Sequence, residues 1–209
     1  MKKKNRIINI IIIILLLLSL ILIFKNYIRE YFTGDINNKI ITAYKNNEDN
    51  LKIPWWKKMF TENSSNIELK DSMLGILYIN DLNIKEPIFQ GATEINLING
   101  VATVDENQTL EYQNVVIAGH SVQGVNIRFY NLKHITIGTS VQIITKDKLL
   151  NYEVVNIYNV RENQTEILEQ HLDEPKKLTM FTCDGYNSVT GEWEERFVVE
   201  CKFLGEESE

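Results

Sequence analysis

Two segments of the chain end alike. Leu178-Thr-Met-Phe-Thr-Cys183 is a mostly apolar run that stops at a cysteine and gives way to the polar Asp184-Gly-Tyr-Asn-Ser, and Asn114-Val-Val-Ile-Ala-Gly-His120 stops at a histidine. A thiol acts as a nucleophile only where it is accessible, and the mouth of a loop gives the access that mid-strand burial denies. An imidazole titrates close to neutrality, so it can both accept and return a proton there. Together they are a candidate nucleophile and a candidate acid–base group. Gly119 before the histidine lets the backbone pass close to a neighbour. Each residue also has a plainer reading, the cysteine in a disulfide with Cys201 and the histidine as a structural residue. His134 and His171, in loop-like contexts without a strand-end glycine, read as structural.

The last apolar run bears on the second cysteine. Alternation along residues 196–203 puts Phe197, Val199, Cys201 and Phe203 on one face and Arg196, Val198, Glu200 and Lys202 on the other. Cys201 therefore reads as an inert thiol among core residues, which argues against the disulfide. Arg196 falls on the mixed face, where it can border a groove.

Short β-rich runs hold these residues: 74–79, 84–89, 114–118, 141–145, 149–158, 178–182 and 196–203, broken by turn signals. Strands this frequent imply an all-β barrel or sandwich. Thr93 is a good N-cap for one short helix through Glu94, Ile95 and Leu97. Ahead of the strands, Ile7 to Phe24 is apolar except for Asn9 and Ser19; at about 1.5 Å per residue it spans roughly 27 Å, the hydrocarbon thickness of a bilayer. The run is longer than a signal-peptide core, and Lys25-Asn26-Tyr27 replaces a small-residue cleavage site, so it reads as an uncleaved anchor. Lys2, Lys3, Lys4 and Arg6 keep the N-terminus cytoplasmic and place the rest outside. The expected organisation is a cytoplasmic tail (1–6), a transmembrane anchor (7–24), an extracellular polar linker (25–72), a catalytic domain (73–205) and a tail (206–209). Within the linker, residues 36–44 suit a short helix, and Trp55-Trp56-Lys57-Lys58 suits either the membrane interface or packing on the domain. An apolar fraction of 44% supports a packed core, and a net charge of −6 argues against general nucleic-acid binding.

Taken together, these segments resemble the class A sortases, the cell-wall-anchoring cysteine transpeptidases of Gram-positive bacteria. The family's Thr-Leu-X-Thr-Cys signature stands here as Thr179-Met180-Phe181-Thr182-Cys183, its histidine segment as Ile117-Ala118-Gly119-His120-Ser121 and its arginine as Arg196. Ile84-Lys-Glu-Pro-Ile88, Asn99-Gly-Val101 and Cys183-Asp-X-Tyr-Asn-X-X-Thr-Gly-X-Trp193-Glu extend the match over residues 74–203. The resemblance implies a closed eight-stranded β-barrel with short helices after the transmembrane helix, and a groove for Leu-Pro-X-Thr-Gly sorting signals of surface proteins. It implies Cys183 as nucleophile, His120 as general acid and base, Arg196 as oxyanion donor and Thr182 as a contact to substrate or oxyanion. It places Ala92, Ala118, Ile167, Leu168, Phe181 and Trp193 along the groove, with Phe181 where a smaller aliphatic residue is usual. The implied acceptor is the free amine of a peptidoglycan precursor of the lipid II type, at the plasma membrane.

Some class A members bind calcium through loop carboxylates. Here Asp105 and Asn114 survive as candidates, but Gln108 and Tyr112 stand where carboxylates are expected, and none of Glu166, Glu169 and Glu174 is a clear partner. The expectation is an enzyme that works without calcium or any other cofactor. Three rivals remain: a pilin-polymerising sortase with a lysine acceptor, a non-catalytic wall-binding barrel and a hydrolytic cysteine protease. The first often carries an Asp-Pro-aromatic lid, and Ile53-Pro54-Trp55 lacks the Asp.

Overall fold

The computed structural model describes residues 2–121 and 125–208. Helix α1 (Lys2–Ile23) leads into α2 (Lys25–Lys45), and helical bonds cross the junction from Phe24 N to Leu20 O (3.0 Å) and from Ile28 N to Phe24 O (2.9 Å). Strands β1 (Asn50–Lys52) and β2 (Asn66–Glu68) form a small antiparallel pair. Then follow β3 (Met73–Ile79), β4 (Ile84–Phe89), α3 (Glu94–Asn99), β5 (Val101–Thr103), β6 (Asn114–Ala118), β7 (Ser140–Ile144), β8 (Lys148–Arg161), β9 (Lys177–Asn187) and β10 (Glu192–Ser208). The eight strands β3 to β10 close in the order β10-β8-β7-β3-β4-β5-β6-β9, which is the all-β barrel the sequence implied. The pairs β4–β5 and β6–β9 are parallel and the rest antiparallel.

Period-2 alternation fills the barrel. Leu178 and Met180 of β9, Val199 and Cys201 of β10, and Val115 and Ile117 of β6 enter one buried cluster with Leu77, Ile143 and Tyr152. Burial pushes the Cys201 thiol well above the ordinary range, and the Glu200 carboxylate adds to this, so it is held protonated as an apolar filler. Cys183 and Cys201 are both free thiols, and no disulfide joins them.

The N-terminal half departs from expectation. Residues 25–72 read as a polar linker, but α2 is a full helix that buries Thr33, Ile36, Asn37, Ile40, Ile41, Ala43 and Tyr44. These residues recur at helical spacing on one face, while Lys39, Asn38 and Lys45 take the other, so averaged composition hides an amphipathic segment. The buried face builds a second apolar cluster with Ile53, Ile67, Leu69, Ile76 and Phe89, outside the barrel wall. Tyr44 Oη also donates to Leu74 O at 3.0 Å. A boundary at residue 73 would strip this cluster from the domain. At the other end, residues 206–208, expected as tail, continue β10 opposite Leu150, Leu149 and Lys148.

Residues 6–23 of α1 have a mean hydropathy of 3.0 and stand wholly exposed, long and apolar enough to cross a membrane. Trp55 and Trp56 are exposed, but Trp56 meets Phe32 of α2 edge-on with ring centroids 5.7 Å apart, so packing on the domain claims one of the two.

Candidate active site

The candidate residues come from just past β6, where His120 lies, and from within β9 and β10: β9 runs on to Asn187, paired with Glu192, so Cys183 is not at the strand end that the sequence suggested. With Leu178 and Met180 inward, Phe181 and Cys183 face out. Register sets Cys183 opposite Arg196, and Phe181 between Ala118 of β6 and Val198 of β10. Residues directly opposite on antiparallel strands have Cβ atoms about 5 Å apart, so the two side chains leave neighbouring points of the wall, and the guanidinium then turns to Trp193 O, Glu195 O and Glu162.

Hydrogen bonds fasten the histidine segment to the same strand. Gly119 N donates to Phe181 O (3.2 Å), and Thr182 Oγ1 donates to Gly119 O (2.7 Å). Thr182, expected to meet substrate or oxyanion, thus donates its hydroxyl hydrogen bond to the carbonyl of the peptide before His120, and it also borders the cavity described below. On the far side, His120 O accepts from Phe129 N at 3.0 Å. Gly119 has no room for a side chain: a Cβ would stand 2.6 Å from Phe129 Cδ2 and 2.9 Å from Val101 Cγ1. Gly119→Ala should therefore lower the unfolding free energy by about 1–3 kcal/mol through overpacking, read as a lower urea midpoint at unchanged slope. An unchanged midpoint would contradict the close approach.

Two carboxylates attend the site, and the sequence reading missed both. Glu94, the first residue of α3, places Oε2 4.0 Å from His120 Nε2. Thr93 caps that helix as expected, its side chain accepting from Asn96 N at 3.2 Å, so the N-cap signal fixed the turn that carries Glu94. Glu162, just past β8, accepts from Arg196 Nη2 at 2.6 Å, while Arg196 Nη1 donates to Trp193 O and Glu195 O at 3.0 Å each. Only the β8–β10 register, with Arg161 opposite Glu195, reveals that neighbour. Beside the thiol lies a cavity of about 440 Å³, bordered by Cys183, Asp184, Tyr186 and Trp193 on one side and by Tyr130 and Lys133 on the other. The Tyr186 and Trp193 rings pack 5.1 Å apart on its rim.

Cys183 thus lies within β9, the His120 segment is bonded to that strand, and Arg196 stands opposite on β10. The Sortase domain family model matches residues 77–204, from inside β3 to inside β10. The chain belongs to the sortase family. It is 36% identical over 129 residues to Sortase A of Staphylococcus aureus, covering 61% of this chain and 63% of that one. The chain thus spans a little under two thirds of that relative's length. Among solved structures, a Clostridium perfringens Sortase D5 transpeptidase superposes with a TM-score of 0.60 at 26% identity, over 82% of this chain and 99% of that one. Listeria monocytogenes sortase A superposes with a TM-score of 0.60 at 20% identity, over 66% and 92% of the two chains, which shows the shared fold.

Within this sortase the expected groove residues are dispersed. Ala118 and Phe181 adjoin on the outer wall, and Trp193 borders the Cys183 cavity. Ala92 packs beside the second apolar cluster. Ile167 and Leu168 lie half-buried in a short 3-10 turn, and Leu168 lines a separate cavity of about 290 Å³ with Val104, Gln108 and Tyr112. The calcium-loop positions are tied into the barrel. Asn114 Oδ1 accepts from Thr179 Oγ1 (2.7 Å), and its Nδ2 donates to Ile167 O (3.0 Å) and Glu169 O (3.1 Å). Gln108 donates to Asn114 O (2.7 Å) and accepts from Val116 N (3.3 Å), while Asp105 accepts from Asn107 N (2.7 Å). Among the described residues no group of three or more His, Cys, Asp or Glu is placed to hold a metal ion.

Proposed function

We propose that this sortase cleaves Leu-Pro-X-Thr-Gly-type signals between Thr and Gly and transfers the new acyl end to a cell-wall precursor amine. The observation that carries the reading is the Cys183–Arg196 register, with the His120 segment bonded to the cysteine strand. The Cys183 proton passes to His120, Cys183 Sγ forms a C–S bond to the Thr carbonyl carbon, and the carbonyl pair moves onto oxygen, where the Arg196 guanidinium stabilises it. The intermediate collapses by breaking the C–N bond, and His120 protonates the departing glycine amine. An incoming amine then attacks the thioacyl carbon, gives its proton to His120 and expels the Cys183 thiolate. Thr182 and Gly119 position the imidazole and stay outside the reaction. The α1 span is the anchor, and with Lys2, Lys3, Lys4 and Arg6 inside, the barrel works on the outer surface of the plasma membrane.

Mass spectrometry of the full chain in lipid nanodiscs, incubated with a Leu-Pro-X-Thr-Gly peptide, tests this. The expected result is a covalent gain equal to the acyl fragment, discharged as an amide on adding a glycine-rich amine. Discharge only onto a lysine side chain would identify a pilin-type acceptor, discharge only to water a protease, and no cleavage would overturn the substrate. A reading without calcium is supported by Asp105 being the one carboxylate among positions 105, 108 and 114, while the Gln108 and Asn114 amide oxygens accept from Val116 N and Thr179 Oγ1. Turnover in chelator and in added calcium is therefore expected to agree within about twofold, and a large calcium-driven rise would reverse this.

A further inference from the structure

The barrel wall beside the active site contains a buried ion pair that the acyl transfer does not use. Arg128 is only 3% exposed and adopts a left-handed backbone, φ +53°. Its guanidinium meets the Glu86 carboxylate of β4, and Nη2 donates to Ile98 O of α3. Its backbone N–H donates to the other Glu86 oxygen at 2.9 Å. The third partner comes from α2: Asn37 Oδ1 accepts from Arg128 Nη1 at 3.0 Å, and Asn37 Nδ2 donates to Glu86 Oε2 at 2.8 Å. Asn37 and Glu86 are each 5% exposed. One amide side chain thus closes a charge cluster fastening α2, β4, α3 and the segment of residues 125–129.

That segment backs onto His120. Arg128 pairs with Ser121 in an antiparallel bridge, and Phe129 N donates to His120 O at 3.0 Å. Ile98 belongs to α3, whose Glu94 faces the His120 ring at 4.0 Å. The Arg128 cluster therefore holds His120 through its backbone on one side and through the helix bearing its carboxylate neighbour on the other. A second tie from α2, Asn126 N donating to Glu30 Oε2 at 3.4 Å, reaches the same segment. A buried ionic cluster is seldom the most stabilising filler for such a space, and its documented use is to fix one arrangement among several.

We propose that Asn37 of α2 is a positioning residue for His120, so that the helix joined to the membrane span by Phe24 alone is a working part of the active site. This rests on His120 being the acid and base of the proposed transfer. Asn37 acts by completing the hydrogen bonds of Arg128 and Glu86, which leaves Arg128 one geometry in which to hold the His120 segment.

The test compares Asn37→Ala with Ile40→Ala in the full chain in nanodiscs. Asn37→Ala leaves the Glu86–Arg128 pair in place, whereas Ile40→Ala opens the second apolar cluster one turn further along α2 without touching Arg128. For Asn37→Ala, kcat should fall about tenfold or more, as a misplaced general acid and base requires, with KM within about twofold. Exchange of the Phe129 amide should rise at least about tenfold, while β7–β8 amides keep their protection. Ile40→Ala should show neither change. Equal kcat losses in both variants would reduce the effect to general destabilisation and overturn the proposal, as would an unchanged kcat in Asn37→Ala. If the wild type fails to process the peptide, that failure belongs to the substrate reading. The exchange at Phe129 then decides alone: a rise specific to Asn37→Ala supports the link, and its absence overturns it.

Discussion

Cys183→Ala is expected to abolish both the covalent adduct and the transfer, lowering kcat by at least about 10⁴-fold, the scale on which removal of a nucleophile acts. The expectation follows from what remains. The alanine chain keeps the β9–β10 register, the Thr182–Gly119 bond and the Arg196 guanidinium, but no atom is left that can form the thioacyl bond. The methyl group fits the half-buried position, so the variant should fold and bind peptide without turnover. Cys201→Ala is the matched control. That thiol lies in the barrel core and is held protonated by burial, so its loss should cost stability on the order of 1 kcal/mol through an unfilled void and leave the adduct intact. An adduct that survives Cys183→Ala, or one lost in Cys201→Ala, would assign the nucleophile wrongly.

What the sequence made legible and what it hid divide along the range of the interactions. Cys183 and His120 stand out as candidates because an apolar run followed by turn residues is a local pattern, although β9 continues past the cysteine to Asn187, since pairing with β10 is a long-range property that the pattern does not carry. Arg196 and Cys201 were readable because alternation along one strand separates its faces. The closed barrel followed from strand spacing and family resemblance together. The packing of α2 was hidden, because Ile36, Ile40 and Ile41 alternate with Asn, Lys and Thr and the mean composition resembles a linker. Glu162 and Glu94 were hidden for a stronger reason: each meets its partner across a register or turn between distant segments. Asn114 and Gln108 show the same limit from the other side. In the sequence Asn114 reads only as a calcium candidate and Gln108 only as a departure from one, and neither reading foresees the bonds their amides make to the barrel backbone and to the loop that follows β8.

The second large effect is expected at Arg196. Arg196→Ala should lower kcat by about 10²–10³-fold, the cost of one oxyanion donor, with KM changed far less, because negative charge on the substrate oxygen exists only in the transition state. Arg196→Lys should fall between wild type and alanine: the charge remains, but an ammonium lacks the planar fork that here bonds Trp193 O and Glu195 O while directing Nη2 outward. Glu162 sharpens the experiment, since its carboxylate holds Nη2 at 2.6 Å, on the group that must turn to the oxyanion. Glu162 is largely exposed, and exposed pairs contribute only about 0–1 kcal/mol, so the substrate can displace it at small cost and Glu162→Gln should keep kcat within about fivefold. The order of the three variants is therefore the diagnostic quantity. Alanine lowest, lysine intermediate and Glu162→Gln near wild type matches a guanidinium that acts on the oxyanion. A Glu162→Gln loss as deep as that of Arg196→Ala would instead mean that the ion pair holds the strand end in shape, and that the charge on the intermediate is met by another group.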